Sequence, residues 1–235
     1  MNILKLNTIY PAFMGECNMY GIGAPCTFVR LAGCNLRCYY KTKGVLCDTP
    51  EALTTSCGRD VSVEDIIIEV SSLGNDIICL TGGEPLLQDV SELLTKLSYM
   101  GYKVVIETNG SKPIHKYRHI KNVSFIVDVK SNSSGEKDSM LEDNYELLDE
   151  NDFVKFVIDT ETDYLEFIDW CAGHNLRCNV AVGLFWGSSI DYRWLIDKVK
   201  HRNVYLNMQT HKMACLYDVH KNSPAFCNLI VPKDL

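Results

Sequence analysis

Short β-branched runs take turns with amphipathic helical stretches along most of this chain, and that alternation restricts its fold more than any other feature. Residues 26–31 read as a strand, and a cysteine-rich loop follows over residues 32–58. Ser62-Val63-Glu64-Asp65 has the form of a helix N-cap with an acid three positions on, opening a helix through Ile66, Ile67, Val70 and Leu73. An apolar strand over residues 76–81 runs into a Gly82-Gly83-Glu84-Pro85 turn. Helical spacing of Val90, Leu93, Leu94 and Leu97 comes next, then a β-rich run at residues 103–107. Further strands are predicted at residues 125–129, 153–158, 177–182 and 204–208, with helices near 162–171 and 191–201. Strands joined through helices run parallel, because parallel neighbours need crossover connections. The prediction is an α/β fold with a mainly parallel sheet, forming a single domain over residues 1–235.

Composition narrows the function. With 235 residues, 46% of them hydrophobic, the chain can fill one substantial core. Thirty acidic against 23 basic residues give a formal net charge of -7, and with no long basic run there is no electrostatic footprint for nucleic acid. No stretch approaches the ~18 consecutive apolar residues of a membrane span, and Met1-Asn2-Ile3-Leu4-Lys5 does not resemble an export signal. A cytoplasmic protein acting on a small molecule is expected. Eleven cysteines, an odd number in a chain of this length, favour metal ligation over a disulfide framework. Most of the single ones, such as Cys26 and Cys79, sit in apolar runs where a thiol serves as a small hydrophobe.

In parallel α/β folds the loops after the carboxyl ends of the strands form the site. The unusual segments here all occupy such positions: the cysteine loop, Gly82 to Pro85, Thr108-Asn109-Gly110, and the polar stretch that begins at Lys130. Cys34, Cys38 and Cys47 can offer three thiolates from one loop, which suits a [4Fe-4S] cluster with one open iron. Zinc held for structure is the alternative, although structural zinc usually takes four ligands in paired short spacings.

The neighbouring residues add to this. Gly15-Glu16, Gly23-Ala24-Pro25, the run Phe28-Val29-Arg30-Leu31-Ala32-Gly33-Cys34-Asn35-Leu36-Arg37-Cys38, and Cys47-Asp48-Thr49 resemble the N-terminal signature of the 7-carboxy-7-deazaguanine synthases, radical S-adenosylmethionine (SAM) enzymes of queuosine and 7-deazapurine biosynthesis. The resemblance continues in order through Thr81-Gly82-Gly83-Glu84-Pro85-Leu86-Leu87, Glu107-Thr108-Asn109-Gly110, Lys155-Phe156-Val157 and Met208-Gln209-Thr210-His211-Lys212. There are departures. The family pattern C-x3-C-x2-C is stretched, with eight residues between Cys38 and Cys47; Met14 stands where Gln is common, and Asp128-Val129-Lys130 replaces Ser-Pro-Lys. An insertion that bulges outward leaves the ligand set intact, since loop closure costs only about 0.6 kcal/mol per doubling of length.

The resemblance implies a partial (β/α) barrel of the radical SAM type. It implies a lyase that cleaves SAM reductively and contracts 6-carboxy-5,6,7,8-tetrahydropterin to 7-carboxy-7-deazaguanine with loss of ammonia. Cys34, Cys38 and Cys47 would hold the cluster, and Thr49 would help bind Mg²⁺ with the substrate carboxylate. Gly82, Gly83 and Glu84 would meet the methionine end of SAM, Glu84 accepting from its ammonium, with Asp128, Val129 and Lys130 also on the cofactor side. Phe13, Met14, Gly15, Glu16, Arg30, Thr81, Thr108 and His211 would face substrate. No protein side chain is assigned to the chemical step itself. An electron donor such as flavodoxin or ferredoxin, and a homodimer, complete the implied partners. Arg30, a lone charge in an apolar strand, needs an anionic partner, which is either a substrate carboxylate or an acid of the chain such as Glu16 or Asp48. Two rival readings stay open on the sequence: a small radical enzyme acting on a protein, and a non-catalytic zinc module.

Overall fold

The computed structural model describes residues 2–40, 45–186, 188 and 190–210. In chain order the strands are β1 (Ile3–Phe13), β2 (Pro25–Leu31), β3 (Tyr39–Tyr40), β4 (Val45–Leu46) and β5 (Arg59–Ser62). Helix α1 (Val63–Leu73), β6 (Ile77–Gly82), α2 (Ser91–Tyr99), β7 (Lys103–Thr108), β8 (Val123–Val129), α3 (Asp143–Glu146) and β9 (Phe153–Ile158) follow. The last elements are α4 (Glu161–Gly173), β10 (Asn179–Leu184), α5 (Tyr192–Val199) and β11 (Tyr205–Leu206).

One nine-stranded sheet runs in the order β11-β10-β9-β8-β7-β6-β2-β1-β5. From β2 to β11 every pairing is parallel, as the crossover argument requires. At the other edge β1 pairs antiparallel with both β2 and β5, an extension the strand reading did not include. Some predicted bounds also move. The strand placed at residues 177–182 is Asn179–Leu184, and the one placed at 204–208 shrinks to Tyr205–Leu206, whose one sheet partner among the described residues is β10.

Alternation along each parallel strand divides the sheet into two faces. One face, carrying Val29, Leu31, Ile78, Leu80, Val104, Ile106, Val127, Val154 and Phe156, packs under α1, α2, α4 and α5 through Ile66, Val70, Leu93, Leu97, Phe167 and Leu195. The inner face starts with a small apolar floor of Cys26, Cys79, Val105, Ile126, Phe153 and Ala181, joined by Met14 and Cys17. Cys26 and Cys79 are therefore packing residues, both without exposure. Among the described residues no helix is long and apolar enough to cross a membrane.

Ser62 caps α1 as its sequence predicts: its hydroxyl accepts from the Asp65 amide at 3.1 Å and donates to the Asp65 carboxylate at 2.6 Å. Ser62→Ala should cost about 1 kcal/mol. In urea unfolding this appears as a lower midpoint with an unchanged slope, and an unaltered midpoint would contradict the capping role.

Candidate active site

Above the apolar floor, the same strand positions turn polar toward the carboxyl ends. Arg30 on β2 pairs in register with Thr81 on β6, and Asp128 on β8 pairs with Lys155 on β9. Glu107 on β7 completes the row, accepting from the Thr81 hydroxyl at 3.1 Å. Lys155 is the hub. Its ammonium lies 2.5 Å from Glu16, which the loop after β1 supplies, and 3.2 Å from Asp128, which in turn holds Lys130 at 2.5 Å. Gln209, past β11, donates to the other Glu16 oxygen at 2.7 Å.

The electrostatics follow from this crowding. Burial opposes ionisation of Glu16, but the Lys155 ammonium and the hydrogen bonds from Lys155 and Gln209 outweigh it and hold its carboxyl below the usual range. Asp128 is held low in the same way, burial being overcome by Lys130 and Lys155. Lys155 stays firmly protonated, because three surrounding carboxylates outweigh its burial. Glu107 goes the other way: burial and the nearby Glu16 charge push its carboxyl up. No cation among the described residues comes within ion-pair distance of it.

The cysteine loop is tied to the carboxyl ends of these strands, Asn109 after β7 donating to Cys34 Sγ and the Glu84 amide after β6 donating to the Gly33 carbonyl. The eight residues between Cys38 and Cys47 do not part the two cysteines, because β3 and β4 close them into a hairpin pairing Tyr39 with Leu46 and Tyr40 with Val45. The Cys47 amide then donates to the Cys38 carbonyl at 3.1 Å, so the two thiols leave the base of the hairpin side by side. Cys34 Sγ accepts from the Leu36 amide at 3.4 Å and the Asn109 side chain at 3.7 Å, and Cys47 Sγ from the Thr49 amide at 3.4 Å. Burial pushes the Cys38 thiol up and the Cys47 thiol up to about 12, with Lys130 opposing both. Among the described residues no three His, Cys, Asp or Glu side chains are gathered tightly enough for a single metal ion. The donor set suits a cube-shaped iron–sulfur cluster better: three thiols in one loop, with N–H groups aimed at two of the sulfurs.

The Gly82-Gly83-Glu84-Pro85 turn fits beneath this loop for a steric reason. A Cβ on Gly82 would lie 2.2 Å from the Leu31 carbonyl oxygen, and one on Gly83 would lie 2.5 Å from that of Gly33 and 2.6 Å from that of Ala52. The close approach lets the Glu84 amide donate to Gly33 at 2.8 Å. Two residues expected at the site have partners within the chain here. The Glu84 carboxylate, expected to accept from an ammonium, is fully buried and takes up the chain's own donors: the Leu86 amide at 2.9 Å, the Thr108 hydroxyl at 2.8 Å and the Asn109 amide at 2.7 Å. Burial pushes it up to about 7 against those hydrogen bonds. Thr108, expected to offer its hydroxyl to a pterin, spends it on Glu84, because at its position in β7 the side chain shares a face with Val104 and Ile106.

The remaining expected residues are placed as follows. Thr49 is partly buried, its hydroxyl 3.4 Å from Asp48. Met14 lies wholly in the apolar floor, Phe13 is 44% exposed, and the Gly15 carbonyl accepts from the Thr210 amide at 3.1 Å. Val129 packs on the helix-covered face, leaving only its backbone for a ligand. His211 and Lys212 lie outside the described residues. Arg30 meets neither Glu16 nor Asp48; it donates to the Tyr10 hydroxyl at 3.0 Å and lies 3.5 Å from Glu51. Glu107 and Lys155 had no assigned role in the sequence reading. Each carried the signal that singled out Arg30, a lone charge in an apolar strand.

Known proteins give this arrangement its class. The radical SAM superfamily profile matches residues 29–185, about two thirds of the chain, which makes this a radical SAM protein. It is 37% identical over 185 residues to the 7-carboxy-7-deazaguanine synthase of Koribacter versatilis, covering 77% of this chain and 76% of that one. It is 34% identical over 221 residues to the enzyme of the same name from Methanospirillum hungatei, covering 91% and 86%. The chain belongs to the 7-carboxy-7-deazaguanine synthase family. Its fold is also that of the crystal structure of QueE from Escherichia coli, with a TM-score of 0.68 at 21% identity over 88% of this chain and 93% of that one.

Gly83→Ala tests the steric seat of the cysteine loop. The added methyl meets backbone atoms that can yield only by moving the loop, at a cost of roughly 1–3 kcal/mol. Both Tm and iron bound per chain after anaerobic reconstitution should fall; wild-type values for both would contradict the packing argument.

Proposed function

We propose that this chain contracts 6-carboxy-5,6,7,8-tetrahydropterin to 7-carboxy-7-deazaguanine with loss of ammonia. Family membership supports the reaction, and the observation that carries it to a site is the polar row from Arg30 to Lys155, with the three-cysteine loop tied to the ends of the same strands through Asn109 to Cys34 and Glu84 to Gly33. When bound, a [4Fe-4S] cluster and SAM supply the electron and the organic radical that start the rearrangement. The family also supports a small redox protein such as flavodoxin or ferredoxin as electron source, and a cytoplasmic homodimer as the working form.

Cys34, Cys38 and Cys47 would hold the cluster, and the charge of Lys130 acts on the Cys38 and Cys47 thiols in the direction of thiolate. The partly buried backbone of Gly82 and Gly83 would approach the methionine end of SAM, with the buried Glu84 keeping that turn rigid rather than touching the ligand. On the substrate side Arg30 would receive the carboxylate, and Thr49 would share that carboxylate with Mg²⁺, a hard cation suited to oxygen ligands. Thr81, Glu107 and Glu16 offer hydrogen-bond partners to the nitrogen-rich ring. A bound ligand over this row excludes water from its charges, which strengthens each contact that orients the reacting carbon.

Arg30→Lys keeps the charge and loses the planar fork. We expect kcat/KM for the pterin to fall about 10- to 150-fold, the worth of a charge-assisted contact, with cluster content unchanged; wild-type turnover would make the arginine structural. Cys47→Ser should lose the cluster absorption. Cys57→Ser should keep it, since that thiol is exposed and engaged with the Thr54 hydroxyl; the reverse pattern would overturn the ligand set.

A further inference from the structure

Resting on the reading of Arg30 as the carboxylate anchor, we propose that Glu51 is an exchangeable counter-ion that shuts the Arg30 subsite to anions other than the substrate carboxylate. The guanidinium is held from two sides in different ways. Its NH2 donates to the Tyr10 hydroxyl at 3.0 Å, and the Tyr10 ring is stacked on Phe28 with centroids 5.3 Å apart and planes 6° from parallel. That side is rigid. On the other side, NH1 meets one Glu51 oxygen at 3.5 Å, longer than the 2.7–2.9 Å typical of a charge-assisted hydrogen bond. The Glu51 side chain is 60% exposed against 18% for Arg30, so its carboxylate can turn to water while the guanidinium cannot. The Glu51 backbone is nonetheless fixed, its carbonyl accepting from the Asn7 side chain at 3.0 Å. Arg30 is also the only described partner of the Glu51 carboxylate.

A tethered acid with a loose, single contact neutralises a partly buried cation and is readily displaced. The substrate carboxylate arrives with the rest of the pterin bound along the row and can use the fork in two-pronged geometry. A small anion has no such additional contacts and must compete with an acid held permanently at high local concentration. Specificity then comes from a penalty imposed on every anion alike, which only the substrate offsets.

The test is steady-state kinetics of the reconstituted enzyme with 6-carboxy-5,6,7,8-tetrahydropterin, using benzoate as the competing carboxylate. Glu51→Gln should lower KM about 1.5- to 5-fold, the range of an exposed ion pair, leave kcat unchanged, and tighten benzoate inhibition at least as much. Asp138→Asn removes an equal charge from the exposed loop after β8 and should change neither constant. An unchanged KM in Glu51→Gln, or an equal fall in Asp138→Asn, overturns the counter-ion role. If Arg30→Gln leaves KM at the wild-type value, the carboxylate anchor itself fails and the counter-ion role falls with it.

Discussion

The Lys155 ammonium ties together stretches of chain that lie far apart in sequence. It joins the loop after β1 through Glu16, 139 residues away, and the end of β8 through Asp128, and Glu16 passes the tie on to Gln209. Burying a charge is costly, and removing one partner from a buried pair costs more than the pair contributes, so these groups hold their positions only as a set. The apolar floor beneath them blocks retreat into the protein. Their free edges can face only the mouth of the barrel, where a ligand would lie.

Two kinds of contact divide the site. On the side proposed for the cofactor, position is set by backbone meeting backbone: Gly82 and Gly83 come so close to Leu31, Gly33 and Ala52 that no side chain fits, and the Glu84 carboxylate fastens this turn to the end of β7. Such a seat depends on shape and is insensitive to charge. On the side proposed for substrate, position is set by two separate charge pairings, Arg30 with Glu51 and Lys155 with Glu16 and Asp128, which a charged ligand can enter and rearrange. The cysteine loop bridges the two. Its hairpin absorbs the long Cys38 to Cys47 spacing and returns both thiols to one place.

Much of this was legible in the sequence because it rests on local patterns. The capping serine of α1, the strand Phe153–Ile158 and the parallel sheet follow from periodicity and end signals that tertiary packing did not override. What escaped depends on distant pairing. β5 is four residues long and exists through its partner β1, and the alternation of β1 is short, buried Leu4 and Leu6 giving way to partly exposed residues beyond. Glu84 and Thr108 looked ligand-facing by motif, yet strand parity and burial turn them toward each other. Glu107 and Lys155 are lone charges inside apolar strands as Arg30 is, but which of them meet depends on the pairing of β6 to β9, which local sequence does not display.

The most direct test of the account is the product formed by the unaltered chain. Protein reconstituted anaerobically with iron and sulfide would receive SAM, Mg²⁺, a reductant and 6-carboxy-5,6,7,8-tetrahydropterin, and pterin, purine and ammonia would be followed together. The account predicts 7-carboxy-7-deazaguanine and ammonia in equal amounts, matching the pterin lost. An enzyme that carries a full cluster and cleaves SAM, yet leaves the pterin intact, would contradict it.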